Sequence, residues 1–351
     1  MKKYILPDGL NWYRANMHCH STISDGNLTP EEIKEEYKKR GYSILAYTDH
    51  EILLDHSDLN DDDFLTLTSS EYSINTGAPL VDGVEGCNHG ANWRRAKTIH
   101  LCIYSKDPHN EFQPASSDAS FAWVQGGKYV GTGKCDGYER LYTVDSINET
   151  IRRCNEAGFL VQYNHPNWSL NDRNDYLNLK GLWSLEILNF ATECLTGGEY
   201  CPYIYDEMVR SGMYGLYCSM GDDNHNRGKS LNQSFGGSTF FGAKELKYDQ
   251  IIEAMENGTF YCASGKNPPQ IKSLYVEDNI IKIDCSEATD IILTGYARAW
   301  RNISDDNGMT HAEFPLDKTD VMFRITVRDR YGNNAHTHYY RVDDFYEEKE
   351  Q

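Results

Sequence analysis

Apolar and polar positions alternate along the first two thirds of the chain in a strand-then-helix order. A strand pattern over residues 10–20 is followed by a helix that Thr29 can cap, with Pro30 at its first position. Gly41 is expected to end this helix. The compact apolar run at 42–48 then has the composition of a strand buried on both faces. The pattern predicts a β–α–β unit.

The same order recurs further along, and each predicted helix ends at a glycine. Helix patterns cover 146–158, 203–212 and 248–258, and strand patterns follow them at 159–166, 213–225 and 259–264, with a further strand at 182–190. Polar residues arrive at the C-terminal end of these strands. Repeated units of this kind predict a parallel α/β barrel, which we assign to a first domain over residues 1–266.

The pattern changes at Asn267, where helical periodicity disappears. Short strand patterns separated by turn-forming residues then predict a small, immunoglobulin-like β-sandwich over residues 267–351. Residues 76–145 include a stretch rich in Gly, Asn, Asp and Lys that we do not assign. Its glycines lack the spacing of dinucleotide or phosphate-loop motifs, so a loop near the site is expected there.

The composition is that of a globular protein, and it argues against some classes of binding partner. The 351 residues are 39% hydrophobic and 25% charged, with a formal net charge of −19. This charge argues against extended nucleic-acid binding, but it allows an anionic substrate if bound cations reverse the local potential. No apolar run approaches the ~18 residues of a membrane span, and the first residues lack a signal-peptide core. We therefore expect a cytoplasmic protein without membrane contact.

The ten cysteines form no CxxC pair, which argues against a structural zinc site or a thioredoxin motif. Several lie inside apolar runs and are expected to be reduced core residues.

The histidines are more informative about function than the cysteines. His18 and His20 are two residues apart, so on a strand they project from one face and can hold a single metal ion. An exposed strand would explain the pair equally well.

Further metal-binding residue types occupy equivalent places, each at or after the end of an apolar run. They are Asp25, Asp49, His50, Glu71, His100, His165, Asp223 and His225. Each alone could be a core histidine, a helix cap or a turn residue. Strand ends of a parallel barrel converge, however, and burying so many titratable groups without a cation would cost several kcal/mol per ion. Imidazoles with carboxylates suit zinc, manganese or iron.

The motifs HCHSTISDG, LAYTDH, NHP and GDDNH, in this order with a Glu and a His between them, resemble the PHP (polymerase and histidinol phosphatase) superfamily over residues 12–265. The resemblance implies a distorted seven-stranded barrel that holds up to three metal ions. The TFYCASG segment, the two prolines after it and the RxxVxDxxGxxA signature at 324–335 resemble a metallohydrolase branch that includes a carbaryl hydrolase.

The resemblance implies a ligand set for each ion. The first ion would be held by His18, His20, Glu71 and Asp223, the second by Glu71, His100 and His165, and the third by Asp25, His50 and His225. His89 is an alternative to His100 as a ligand. We favour His100 because a strand pattern follows His100. Asp49 would support the cluster or approach a metal.

Several positions depart from the family pattern or invite a second interpretation. The final motif usually reads GSDxH, and Asp222 replaces that serine, which would add a carboxylate beside the metals and raise metal affinity or alter access. Glu186 and Asn189 are interpreted as structural or supporting residues. His336 and His338 form a second HxH without companions, and we expect them on a strand surface.

The implied chemistry is hydrolysis by water activated at two or three divalent ions, assisted by Asp49 or Arg227. A small phosphate ester, either a phosphomonoester or a nucleotide-like phosphate, is the expected substrate. Basic residues near the motifs that could bind this phosphate are Arg94, Arg95, Lys97, Lys134 and Arg227.

A carboxylic ester, carbamate or amide hydrolase is an alternative function. A catalytically inactive binding protein is a third possibility, although its ligand set should be incomplete. The physiological substrate and the oligomeric state stay open.

Overall fold

The computed structural model describes residues 2–76, 96–117, 120, 135–298 and 300–348. In this part of the chain the fold is mixed α/β, with one large sheet and few helices. The α-helices are α1 Pro30–Lys38, α2 Val144–Glu156, α3 Arg173–Tyr176, α4 Phe190–Thr196, α5 Pro202–Arg210 and α6 Tyr248–Asn257. No helix among the described residues is long and apolar enough to cross a membrane.

The strands run through the chain from its first residues to its last. They are β1 Lys3–Leu6, β2 Asn11–Cys19, β3 Ile44–Tyr47, β4 Leu65–Asn75, β5 Thr98–Ser105, β6 Phe159–Tyr163, β7 Ser184–Asn189, β8 Tyr217–Gly221, β9 Gly237–Ala243, β10 Phe260–Ser264, β11 Ile271–Glu277, β12 Ile280–Gly295, β13 Trp300–Pro315, β14 Met322–Arg328, β15 Asn334–His336 and β16 Tyr340–Arg341.

Helix α1 begins as its sequence predicts. The Thr29 hydroxyl accepts from the Glu32 N–H, and the Glu32 carboxylate accepts from the Thr29 N–H, which is a capping box. The helix ends at Lys38, before Gly41, which follows with φ +77°. Helix α6 ends, as predicted, at Gly258 in the left-handed conformation.

The site-bearing half of the sheet is not all parallel. Strands β2, β3 and β4 are parallel, as are β6, β7 and β8, but β5 is antiparallel to both β4 and β6. An antiparallel strand brings its first residues to the edge where its parallel neighbours end. His100, the third residue of β5, therefore lies at the edge that also carries His165 after β6.

The closed barrel that the sequence predicts is not confirmed, because the path of paired strands is open at β8. Strand β9 pairs antiparallel with residues 11–15 of β2 and occupies that edge. The chain that follows β8 can therefore pair only with the last residues of β2. There, Cys19 and Asn224 form an isolated parallel bridge, and the Asp223 N–H donates to the His18 carbonyl at 2.7 Å.

From β11 onward the chain is all-β, as the sequence predicts. These strands continue the same sheet, because β15 pairs with β10 and β1 pairs with β11. Their apolar side chains, including Ile281, Ile291 and Ile325, form a core cluster separate from the cluster that β5, β6 and β7 bury against α2 and α5. The proposed boundary at 266/267 stays a prediction.

Candidate metal centre

One buried carboxylate, Glu71 on β4, lies in the middle of the predicted ligands. Its Oε1 lies 3.2 Å from His18 Nε2, 3.1 Å from His100 Nδ1 and 3.2 Å from His165 Nε2, and its Oε2 lies 3.3 Å from His20 Nε2 and 3.1 Å from His50 Nδ1. These imidazoles come from β2, β5 and the segments that follow β2, β3 and β6. The sheet thus brings together residues up to 147 positions apart in the chain.

A second carboxylate, Asp223, follows β8 and faces the same histidines. Its Oδ1 lies 3.0 Å from His20 Nε2 and 3.4 Å from His18 Nε2. His225 Nδ1 lies 3.6 Å from the same oxygen. Asp223 adopts φ +52°, a left-handed conformation that is uncommon for an aspartate and directs the chain back toward β2.

Asp25 completes the cluster at its outer side, with 46% of its side chain exposed. Its carboxylate lies 3.3 Å from His225 Nε2 and 3.8 Å from both His20 Nδ1 and His50 Nε2. The structure therefore brings all nine predicted ligands together, from the buried Glu71 to the half-exposed Asp25.

Eight of the nine side chains fall into overlapping groups whose ligand atoms lie within 4.8 Å of one another, and His165 belongs to none of these groups. These groups are His18 with His20, Glu71 and Asp223; His20 with Asp25, His50 and His225; and His50 with Glu71 and His100. The first equals the implied set for one ion. The second group is the implied set of Asp25, His50 and His225 with His20 added. The third group contains Glu71 and His100 as implied, but with His50 in place of His165. Metal binding by these residues stays a prediction.

The residues present fit divalent cations. Glu71 Oε2 and Asp223 Oδ1 are buried and accept no hydrogen bond from the described residues, although imidazole nitrogens lie close to both. An unsatisfied buried carboxylate oxygen is costly. Glu71 Oε1, by contrast, lies at hydrogen-bond distance from His100 Nδ1 and His165 Nε2. Carboxylate oxygens left unsatisfied beside imidazole nitrogens are expected around a shared cation, and this donor set suits transition metals.

The cluster controls the protonation of its own members. Burial alone would raise the pKa of Glu71, but the imidazoles of His100 and His18 hold it well below its usual range. Burial, followed by the nearby His20, lowers the pKa of His50 to about 3. Against the effect of burial, the carboxylates of Asp223 and Glu71 raise the pKa of His20 well above its usual range, so a cation that binds there has to displace a proton from this imidazole.

Glu186 and Asn189, at the end of β7, support the cluster from behind. Glu186 Oε1 lies 3.0 Å from His18 Nδ1, and the Asn189 amide donates to Glu186 Oε2 at 3.1 Å and to Asp223 Oδ2 at 3.0 Å. This contact on Nδ1 leaves His18 Nε2 facing Glu71 and Asp223. The supporting position agrees with the interpretation made from the sequence.

Asp49 is directed at the turn before Asp25. Its carboxylate accepts from the N–H groups of Ser21 and Ser24 at 2.8 and 3.0 Å and from their hydroxyls at 2.7 and 2.6 Å. Three of these four donors lie on Oδ1, and Oδ2 accepts only from the Ser21 hydroxyl among the described residues, so Asp49 stabilises this loop. Its assistance in the reaction stays a prediction.

The expectation for Asp222 was wrong. Its carboxylate accepts from the N–H groups of Phe235 and Gly237, each at 2.6 Å, of Gly236 at 3.0 Å, and from the Tyr37 hydroxyl at 2.6 Å. Consecutive residues of the segment after β8 point in different directions, so Asp222 anchors the chain that enters β9 while Asp223 faces the histidines. Burial raises the pKa of Asp222 to about 6.

The second HxH was also interpreted wrongly, because His336 and His338 are buried rather than on a strand surface. His336 Nε2 contacts the Tyr200 hydroxyl, and its Nδ1 lies 2.9 Å from the Thr326 hydroxyl. Burial lowers the pKa of both histidines. They are neutral interior residues where the last strands meet the loop before α5.

The structure describes two of the expected phosphate-binding cations, Lys97 and Arg227. Lys97 pairs with Asp172 at 2.7 Å and Asp175 at 2.6 Å, which compensates its charge. Arg227 is exposed two residues after His225, and its side chain makes no hydrogen bond or ion pair with the described residues. Arg94, Arg95 and Lys134 lie outside the described residues, as does His89, the alternative ligand to His100.

Trp168 is a residue that the sequence interpretation missed. Its ring lies beside His100 and His165, with centroid distances of 5.4 and 5.0 Å. The available signal was its position three residues after His165, in NHPNW. An aromatic residue directly after a metal-binding motif could have been considered part of the site.

No protein-family model and no curated protein sequence matches the chain. Among solved structures, it is similar to a two-domain protein from Bacteroides vulgatus that contains a predicted PHP-like metal-dependent phosphoesterase, at 13% identity over 93% of each chain and a TM-score of 0.44. A Chromobacterium violaceum amidohydrolase with bound sulfate and no metal matches at 17% identity over 60% of this chain and 87% of that one, with a TM-score of 0.38. A Bifidobacterium adolescentis protein provisionally named a metal-dependent phosphoesterase matches at 15% identity over 69% and 94%, with a TM-score of 0.36. Similarities this distant do not support a function. The function is therefore inferred from the side chains of this protein.

Proposed function

We propose that this protein is a metal-dependent phosphoesterase that hydrolyses a small phosphate ester. The observation that carries the proposal is the convergence of six histidines and three carboxylates around Glu71, with buried carboxylate oxygens that accept no hydrogen bond from the described residues. Divalent ions bound there would lower the pKa of a coordinated water and neutralise charge on the phosphoryl oxygens. We expect two or three ions of zinc, manganese or iron.

Charge favours a phosphate ester over a neutral carboxylic ester. The carboxylates of Asp25, Glu71 and Asp223, together with Glu186 beside His18, carry four negative charges, which two divalent ions balance and three exceed. The histidines add no negative charge. A centre loaded with three ions is therefore cationic and attracts an anionic substrate, even in a protein with a net charge of −19.

The protein side chains hold this centre in one geometry. Glu186 orients His18, and the Ser169 hydroxyl lies 3.1 Å from His165 Nδ1, so that each Nε2 faces Glu71. Asp49 stabilises the turn that carries Asp25. In the reaction, a water oxygen would bond to phosphorus, the phosphorus–oxygen bond to the alcohol would break, and the alcohol would leave with a proton.

Metal analysis and substrate turnover test the proposal. Protein purified without chelator should contain two to three equivalents of metal by plasma emission spectroscopy. The double variant His18→Ala, His20→Ala should lose most of it, together with at least about 100-fold of p-nitrophenyl phosphate hydrolysis. His311→Ala, which removes an exposed histidine on β13, is the matched control and should change neither.

Two outcomes would contradict the proposal. One is a protein that binds no metal even after reconstitution with zinc, manganese or iron. The other is metal-dependent hydrolysis of naphthyl acetate without hydrolysis of any phosphate ester, which would favour a carboxylic ester hydrolase built on the same centre.

A further inference from the structure

Trp168 places a large apolar surface at the mouth of the metal centre. Its ring approaches His165 at an interplanar angle of 82° and His100 at 56°, so its contacts with both imidazoles are edge or tilted contacts. The residue nevertheless keeps 36% of its surface exposed. One part of the indole thus touches two proposed ligands while another part faces solvent.

The turn that carries this indole is held rigidly. Buried Glu199 accepts from the N–H groups of Asn167 at 3.1 Å and of Trp168 at 2.6 Å. The Ser169 N–H donates to the His165 carbonyl at 3.1 Å. Two non-glycine residues of the turn, His165 and Leu170, adopt positive φ values of +26° and +60°. Such conformations persist only where the surroundings over-determine them.

Among the described residues, the surroundings of Trp168 differ from those of a core tryptophan. Trp183 buries its ring among Tyr104, Tyr217 and Phe260. Trp168 instead contacts two imidazoles, and 36% of the residue stays exposed. An apolar surface kept exposed beside convergent polar groups is typical of a ligand site.

We propose that Trp168 forms an aromatic subsite of the metal centre that stacks on a planar ring in the alcohol part of the substrate. This inference rests on the proposed function and specifies its substrate class: a phosphate monoester whose alcohol carries an aromatic ring. The phosphate lies toward the ligands and the ring extends toward the indole. Aromatic rings pair at centroid separations of about 4.5–7 Å, offset-stacked or edge-to-face, so a substrate ring stacked on the indole would lie within this distance of it.

Binding of two phosphonates, which are not hydrolysed, tests the subsite. Isothermal titration of the metal-loaded protein should show phenylphosphonate binding about tenfold more tightly than methylphosphonate. Trp168→Leu keeps an apolar side chain but cannot stack, and it should abolish this preference while methylphosphonate binding stays unchanged. Trp168→Phe should retain most of the preference. Trp300→Ala removes a tryptophan that is 64% exposed on β13 and should behave as wild type.

The results separate this inference from the proposed function. An enzyme that hydrolyses phosphate esters but shows no phenyl preference, or one in which Trp168→Leu weakens both phosphonates equally, overturns the subsite. A protein that binds phenylphosphonate through Trp168 yet hydrolyses no phosphate ester supports the subsite and contradicts phosphoesterase activity. Metal content is measured in each variant, and the affinities of the wild type and of Trp168→Leu are compared at equal metal occupancy.

Discussion

Glu186 contacts the proposed ligand His18 directly and is connected to Asp223 through the Asn189 amide, without belonging to any of the three ligand groups. Glu186→Gln keeps the shape of the side chain but removes the negative charge behind His18. Because a carboxylate partner makes a ligating imidazole more basic, we expect metal affinity to fall by about 10–100-fold. Competition with a chromophoric chelator measures this. Glu256→Gln, at an exposed carboxylate, is the control, and unchanged affinity in Glu186→Gln would refute the supporting role.

A substitution of Asp49 distinguishes a structural role of this residue from a catalytic one. Asp49→Asn loses acceptor capacity for Ser21 and Ser24, so the turn before Asp25 should loosen. We expect a loss of about 1–3 kcal/mol in the free energy of unfolding, measured with urea, and a lower metal content. If turnover instead falls while stability and metal content remain those of the wild type, Asp49 acts in the reaction itself.

At the scale of elements, the connection from β8 to β9 depends on a single buried side chain. Asp222 accepts from three successive N–H groups at 235–237, where the chain turns into β9, and from Tyr37 of α1. Asp222→Ser introduces the residue usual in the resembling family but leaves most of these donors unsatisfied. It should lower the free energy of unfolding by about 2 kcal/mol or more.

This substitution should leave the metal content of the folded protein unchanged, because Asp222 does not face the histidines. Urea unfolding and metal analysis of the same preparation test both parts. Tyr37→Phe removes one of the donors and should have a smaller effect on unfolding. A loss of metal in Asp222→Ser at full stability would restore the sequence-based expectation that Asp222 affects the centre.

At the scale of the whole molecule, the metal centre should stabilise the fold. Its ligands come from separate strands between residues 18 and 225, so ions bind the native arrangement and not the unfolded chain. Stability then increases with occupancy, by about 2.7 kcal/mol at a free concentration 100 times the Kd. Chelator should lower the Tm, and added metal should restore it. The double variant His18→Ala, His20→Ala should unfold at a Tm that chelator does not change.

The sequence was most informative where chemistry depends on local spacing. The HxH at 18 and 20 needs only the two-residue period of a strand, and the Thr29 cap and Gly258 stop depend on their nearest neighbours. Residue type and position after apolar runs marked the candidate residues in the chain, Asp49 among them, and the resemblance to the PHP superfamily implied which nine of them are ligands. The same local patterns predicted the all-β region after β10.

Features that depend on distant partners required the tertiary structure. The antiparallel direction of β5, the open edge at β8 and the burial of His336 are decided by neighbouring strands in space. So are the direction of Asp222, which faces residues 235–237 and not the histidines, and the contact of Trp168 with two histidines. The sequence by itself therefore determined which residues could bind metal. Only the tertiary structure decided how they group around Glu71, because that grouping depends on contacts between residues far apart in the chain.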